Sequence, residues 1–248
     1  MNRIITLFLA LLVSSQLVAA DLKAEGDSAY AHGEYQKAIR CYESLLRQGE
    51  NADVYYNLGN AYYRTENITR AVINYERAAR LSPGDADIRF NLSMARSRTT
   101  DKIVPESEMF FVTWYRSLVN FTSVRGWAVV SVVAFVLTIV LLLLYLFNGV
   151  VAVRKLGFFG ASIMLLCFLL SVLFARQQQQ MLVRRTAAIV VAPAATVKST
   201  PAHNGTDLFI LHEGTKVKII DDTMVQWKEV SLADGKKGWI ETSQIETI

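Results

Sequence analysis

The chain has 248 residues, 52% of them hydrophobic, with a mean hydropathy of +0.26 and a formal charge of +4. That is too apolar for an ordinary soluble protein, and the charge is no nucleic-acid signal: residues 21–104 hold twelve basic and twelve acidic side chains, and residues 176–248 hold nine and eight. The two cysteines, Cys41 and Cys167, make neither a disulfide scaffold nor a metal-ligand spacing.

Residues 1–20 start with Arg3, run apolar from Ile4 to Val13 and close on Val18 and Ala20, the small residues of a cleavage site. This predicts a secretory signal peptide, with an uncleaved anchor as the alternative.

From Gly26 onward the chain repeats itself at an offset of 33, Gly26 over Gly59, Ala38 over Ala71, Tyr42 over Tyr75. Each unit reads as two helices with apolar or small residues at i, i+3 and i+4. Glycine and alanine at matched positions let two helices approach, and the tyrosines fill the remaining volume. A third helix, ADIRFNLSMARSR, follows LSPGD. The residues Leu58-Gly59, Tyr62, Ala71, Tyr75, Ala78 and Pro83 resemble the tetratricopeptide repeat, with Gly26, Gly33, Tyr35, Ala38 and Tyr42 as the first unit. The resemblance implies an all-α domain over 21–104 whose concave face binds protein segments. On that pattern the face carries Lys23, Asn57, Asn60, Arg64 and Asn91. Two units and a cap are near the lower limit for a continuous core, so the domain is expected to be marginal alone or completed by a partner.

Residues 105–125 gather aromatic and basic side chains, among them Trp114, Tyr115, Arg116 and Arg125, with Trp127 just beyond. They predict a segment at a membrane interface, with packing against the repeat domain as the alternative. Two uncharged apolar runs follow, read as transmembrane helices over 126–147 and 156–175, each long enough at 1.5 Å per residue. The alternative is a pair of buried core helices. Export by the signal and stop-transfer by the first run place the loop 148–155 in the cytoplasm, and its Arg154 and Lys155 without acids agree with that side. Arg176, Arg184 and Arg185, after the second run, pull the other way, and the signal pattern decides the orientation.

After a polar linker over 176–185 the pattern turns to strands. TVKSTP, LHEGTKVKII and WKEVSLADGKKGWI occur in order and resemble the bacterial SH3 (SH3b) pattern, with Lys198 where arginine is usual. The resemblance implies a small all-β SH3-like barrel over 186–248, with Trp227 and Trp239 at its groove. The fold class expected is therefore multidomain α and β: tetratricopeptide hairpins, a two-helix transmembrane hairpin, and the barrel.

His32, His203 and His212 have no nucleophile near them in a known catalytic pattern, and no phosphate loop, zincin helix or hydrolase elbow occurs. No catalytic residue, metal or cofactor is assigned. The whole order, with DADIRFNLSMARSRTTDKI and TVKSTPAHNGTDLFILHEGTKVKIID, resembles the bacterial aerotolerance-operon (Bat) family. That resemblance implies an adaptor in the bacterial inner membrane, both domains in the periplasm. Its partners would be Bat membrane proteins with von Willebrand factor A-type domains and a MoxR-type ATPase system, in tolerance of oxidative stress. Membrane lipid is a further expected partner. The alternative is an envelope sensor whose barrel binds peptidoglycan peptide.

Overall fold

The computed structural model describes residues 21–248; the expected signal peptide lies outside them. The chain divides into two compact units. Of the described residues, one contains 21–80, Ala86–Ser107 and Thr186–Ile248; the other contains Leu81–Asp85 and Glu108–Arg185.

The first unit includes helix α1, described over 21–31. It is followed by α2 (Tyr35–Leu46), α3 (Ala52–Arg64), α4 (Ile68–Leu81) and α5 (Ala86–Ser97). Gly33, at φ 80°, turns α1 into α2 in a conformation that favours glycine. Asn51 caps α3, its Oδ1 accepting from the backbone N–H of Asp53 at 2.9 Å and of Val54 at 3.2 Å. The 33-residue period is visible atom by atom. The Tyr42 hydroxyl donates to Asp27 Oδ1 at 2.7 Å, and Tyr75 donates to Asn60 Oδ1 at 2.7 Å. A Cβ at Gly26 would stand 2.8 Å from Tyr42 Cε1, and one at Gly59 would stand 2.7 Å from Tyr75 Cδ1. Both rings are buried and cannot withdraw. Gly59→Ala is therefore expected to destabilise the unit by about 1–3 kcal/mol through overpacking. Thermal unfolding of the full chain in detergent checks this, and a Tm equal to the parent's would refute it.

The sheet of the first unit has seven antiparallel strands: β1 (Ala187–Val190), β2 (Ala194–Lys198), β3 (Asp207–His212), β4 (Lys216–Asp221), β5 (Trp227–Ser231), β6 (Lys237–Glu241) and β7 (Ile245–Thr247). Their order is β3-β2-β6-β5-β4-β1-β7. The sheet stays open: β3 and β7 are its two edges, where a closed barrel was expected. Alternation buries Val197, Val217, Val230 and Ile240 in one core, with Ile103 packed against it. The expected Asp-Gly turn is present, Gly235 taking φ 84° and Asp234 Oδ1 accepting the N–H of Lys236 at 3.2 Å.

Helices and sheet, separate modules by sequence, pack together in the structure. Ile189 of β1 and Ile248, 0% and 4% exposed, belong to one apolar cluster with Ala71, Val72, Ile73 and Tyr75 of α4 and with Leu92 and Ala95 of α5. Polar contacts ring this cluster. Lys216 Nζ donates to Glu76 at 2.7 Å, and Arg96 also pairs with Glu76, whose carboxylate is 5% exposed. Arg70 and Arg77 both hold Glu246, at 2.6 and 2.8 Å. Asp101, on the segment after α5, accepts from the His212 N–H at 2.7 Å and from Thr215 Oγ1 at 2.7 Å, with His212 Nδ1 at 2.8 Å. The short helical array is thus completed by β1 and β7 of the same chain. These two strands were not foreseen, being too short to stand out in the sequence.

The second unit contains α6 (Phe110–Val119), α7 (Val124–Phe147) and α8 (Val151–Val183). Ser123 caps α7 by accepting the Gly126 N–H at 3.2 Å. α7 and α8 are antiparallel, with ring contacts in register: Trp127–Phe174 at 5.1 Å, Phe135–Phe168 at 5.3 Å and Tyr145–Phe158 at 5.7 Å. Gly157 gives the closest approach; a Cβ there would lie 2.8 Å from Leu141 O and from Tyr145 N. α8 continues as helix through the glutamines expected to form a spacer. Its 33 residues reach about 50 Å. Gln178 accounts for part of that: it is 5% exposed and its Nε2 donates to the carbonyls of Val119 and Thr122 at 2.8 Å each.

Candidate functional site: a tyrosine-lined groove on the helical repeat

α1, α3 and α5 present one face of the helical array. On α3, Tyr56, Asn60, Tyr63 and Arg64 fall at i, i+4, i+7 and i+8, one stripe of the helix. With Tyr30, Tyr75, Asn91 and Met94 they line a groove of about 360 Å³. Of the five residues expected on the concave face, Asn60, Arg64 and Asn91 meet here. Lys23 and Asn57 do not line it. They converge on Asp27, which takes Lys23 Nζ at 2.6 Å and Asn57 Nδ2 at 3.1 Å. Burial pulls the Asp27 carboxyl upward, but hydrogen bonds from Lys23, Tyr42 and Asn57 outweigh it and hold the group below the usual carboxylate range.

The groove amides are oriented by the protein. Asn60 Oδ1 accepts from Tyr75 at 2.7 Å and from Asn91 Nδ2 at 2.9 Å. Asn91 Nδ2 also donates to the Tyr56 hydroxyl at 3.0 Å. The Asn60 oxygen and the Asn91 amide hydrogens are thereby engaged, so the Asn60 amide hydrogens and the Asn91 oxygen are the groups left to meet a ligand. One donor beside one acceptor is the pattern of an extended peptide backbone. Burial pushes the Tyr75 hydroxyl pKa well up, so it stays a neutral donor at ordinary pH. Arg64, exposed, is the charged residue among the described ones that line the groove, its Nε 3.5 Å from the Tyr30 hydroxyl. The tyrosines were missed as site residues because their spacing serves core packing equally well; the i, i+4, i+7 stripe on α3 was the available signal.

Trp227 of the sheet is buried, 5% exposed, with the His203 ring edge-on at 5.5 Å. Trp239 is half-buried, paired in register with Lys198 and Glu229. The structure therefore places Trp227 in the interior rather than at a groove surface. In the second unit Trp114 is 61% exposed. Tyr115 donates to Gln177 at 2.5 Å, Arg116 pairs with Glu108 at 2.9 Å, Trp127 Nε1 donates to the Val119 carbonyl at 2.8 Å, and Arg125 is exposed. Among the described residues no group of three or more His, Cys, Asp or Glu could hold a metal ion.

Residues 23–86 match the tetratricopeptide repeat family. The helical hairpins of the first unit are of that kind, and such domains generally mediate protein–protein contacts and scaffolding. Among solved structures, the Sgt2 TPR domain from Aspergillus fumigatus is 30% identical with a TM-score of 0.31, the match covering 32% of this chain and 53% of that one. Yeast Tom70 is 14% identical with a TM-score of 0.32, over 70% of this chain and 27% of that one. The chain thus spans 53% and 27% of the lengths of these two, and neither TM-score shows a shared overall fold. No curated protein matches the chain.

Proposed function

We propose that the protein is a membrane-anchored adaptor that binds an extended segment of a partner protein in the tyrosine-lined groove. The observation that carries this reading is the pre-oriented Asn60–Asn91 pair at the floor of a groove on a tetratricopeptide-like array. The anchor is the α7–α8 hairpin. Both helices are long and apolar enough to cross a membrane, and their apolar stretches are only 6% and 11% buried. Such exposure suits lipid and disfavours the alternative of soluble core helices. The segments before and after the hairpin share one compact unit, which supports their lying on the same side of the membrane. With the signal pattern of residues 1–20, that side is the periplasm of a bacterial inner-membrane protein. The sheet is read as an SH3b-type module in open form.

The resemblance to the Bat family supplies the partners: membrane proteins with von Willebrand factor A-type domains, acting with a MoxR-type ATPase in tolerance of oxidative stress. A photo-crosslinking residue at Met94, beside the groove, should capture such a protein in cells. Replacing Asn60 and Asn91 by Ala should reduce capture roughly tenfold or more, at about 1 kcal/mol per lost hydrogen bond. Undiminished capture by a folded double variant would refute the groove as the site. The wall-peptide reading needs an aromatic platform on the sheet, and the burial of Trp227 disfavours it.

A further inference from the structure

The second unit carries its charge unevenly. Between Glu108 and Arg185 there is one acid, Glu108, and seven basic residues. Two of these, Arg154 and Lys155, are at the start of α8. The other five, Arg116, Arg125, Arg176, Arg184 and Arg185, fall at the opposite end of the hairpin.

The register of the hairpin brings three of them level. Trp127 meets Phe174 at 5.1 Å, so in the antiparallel pair Arg125 comes opposite the Arg176–Gln177 step. Tyr115 holds that same step, its ring 6.1 Å from Phe174 and its hydroxyl on Gln177, which sets the neighbouring Arg116 at the same height. Gln178 ties α6 to α8 through the Val119 and Thr122 carbonyls. The Arg116–Glu108 pair is exposed on both sides and contributes little cohesion. Arg125 and Arg176 have no ion-pair partner among the described residues. Immediately around this ring, Phe110, Phe111, Trp114 and Phe121 are exposed at 55–82%.

Exposed aromatic rings beside level guanidinium groups, two of them without an ion-pair partner among the described residues, match the acyl–headgroup boundary of a bilayer with anionic lipid. In the proposed orientation this is also the end where positive charge opposes the usual topology rule. Arg125 and Arg176 call for a compensating interaction, and a phosphodiester supplies it through hydrogen bonds from the guanidinium fork. We propose that Arg116, Arg125 and Arg176 form a binding ring for the phosphate groups of anionic phospholipids in the leaflet facing the folded domains. This rests on the spanning reading of α7 and α8.

The full chain, reconstituted in phosphatidylcholine vesicles, tests it. Brominated phosphatidylglycerol and brominated phosphatidylcholine are titrated in separately, and quenching of Trp114 and Trp127 is read. Phosphatidylglycerol should be favoured at least tenfold, each Arg→Gln substitution lowering the preference about fivefold, as expected for a charge near an anionic surface. Arg→Lys should retain much of it, and raised salt should weaken it. Equal quenching by both lipids, or a preference unchanged in R116Q/R125Q/R176Q, overturns the ring while leaving the spans intact. Absence of quenching by either lipid overturns the spanning reading itself. Displacement by inorganic phosphate, beyond what chloride of equal ionic strength achieves, would assign the ring to a free anion and overturn the lipid proposal.

Discussion

Ile189→Ala should destabilise helices and sheet together, by about 3 kcal/mol for a fully buried large-to-small change. Ile189 is on β1, yet its side chain is packed in a cluster with Val72, Ile73 and Tyr75 of α4 and Leu92 of α5. The cavity would open under the repeat as much as under the sheet. Hydrogen exchange on the full chain in detergent should show faster opening over Ile68–Leu81 as well as over Ala187–Val190 and Lys216–Asp221. Loss of protection confined to the strands would mean that the helical array is stable without the sheet, and the single cooperative unit would have to be given up.

The second large effect belongs to Asp101. Its side chain takes the His212 N–H, His212 Nδ1 and Thr215 Oγ1, all within 2.8 Å, and so fixes the segment after α5 to the β3–β4 turn. Asp101→Ala leaves those donors without their acceptor and should cost about 2–3 kcal/mol, the range for hydrogen bonds to a charged group. The same contacts predict a pH dependence. Burial pulls the Asp101 carboxyl upward, but the hydrogen bonds from His212 and Thr215 outweigh it, and the group is held below its ordinary value of 3.8. A carboxyl lowered on folding stabilises the native state above its unfolded pKa. That contribution is lost as pH falls through the lower, folded value. Stability should therefore drop in strong acid, below about pH 4, and Asp101→Asn should flatten that limb. Acid titrations of both proteins, followed by the emission of Trp227 and Trp239, compare the two. Superimposable limbs would show that Asp101 does not contribute to the acid sensitivity.

An adaptor reading gains from this joint. The groove is lined from α1, α3, α4 and α5 and the sheet packs on α4 and α5, so Tyr75 belongs to both and α5 carries Asn91 of the groove and Leu92 of the joint. A partner that orders the groove draws on the same helix that holds the sheet.

Much of the repeat could be read directly. The offset of 33 aligned Gly26 with Gly59 and Tyr42 with Tyr75, and the structure pairs each glycine with its tyrosine across one helical hairpin. Contacts of this kind join residues about fifteen positions apart, so local spacing carries them. The apolar lengths of α7 and α8 were legible for the same reason. Three of the five expected concave-face residues meet in the groove; Lys23 and Asn57 face Asp27 instead, because a helical stripe fixes the face of a side chain but not its partner.

What periodicity could not decide is how the parts close on one another. Ile189 and Ile73, Lys216 and Glu76, and His212 and Asp101 come together across separations of more than 100 residues, and nothing in their local patterns marks them as neighbours. Whether the strands close into a barrel depends on the pairing of edges, which alternation does not encode, and here the edges β3 and β7 do not pair, Glu246 of β7 being held by Arg70 and Arg77 of α4 instead. By itself the sequence determined the helical repeats, the apolar hairpin and the strand-rich segment, since each follows from residues close along the chain. The tertiary structure alone decided that repeat and sheet share a core, because that core forms only when distant apolar surfaces are withdrawn from water together.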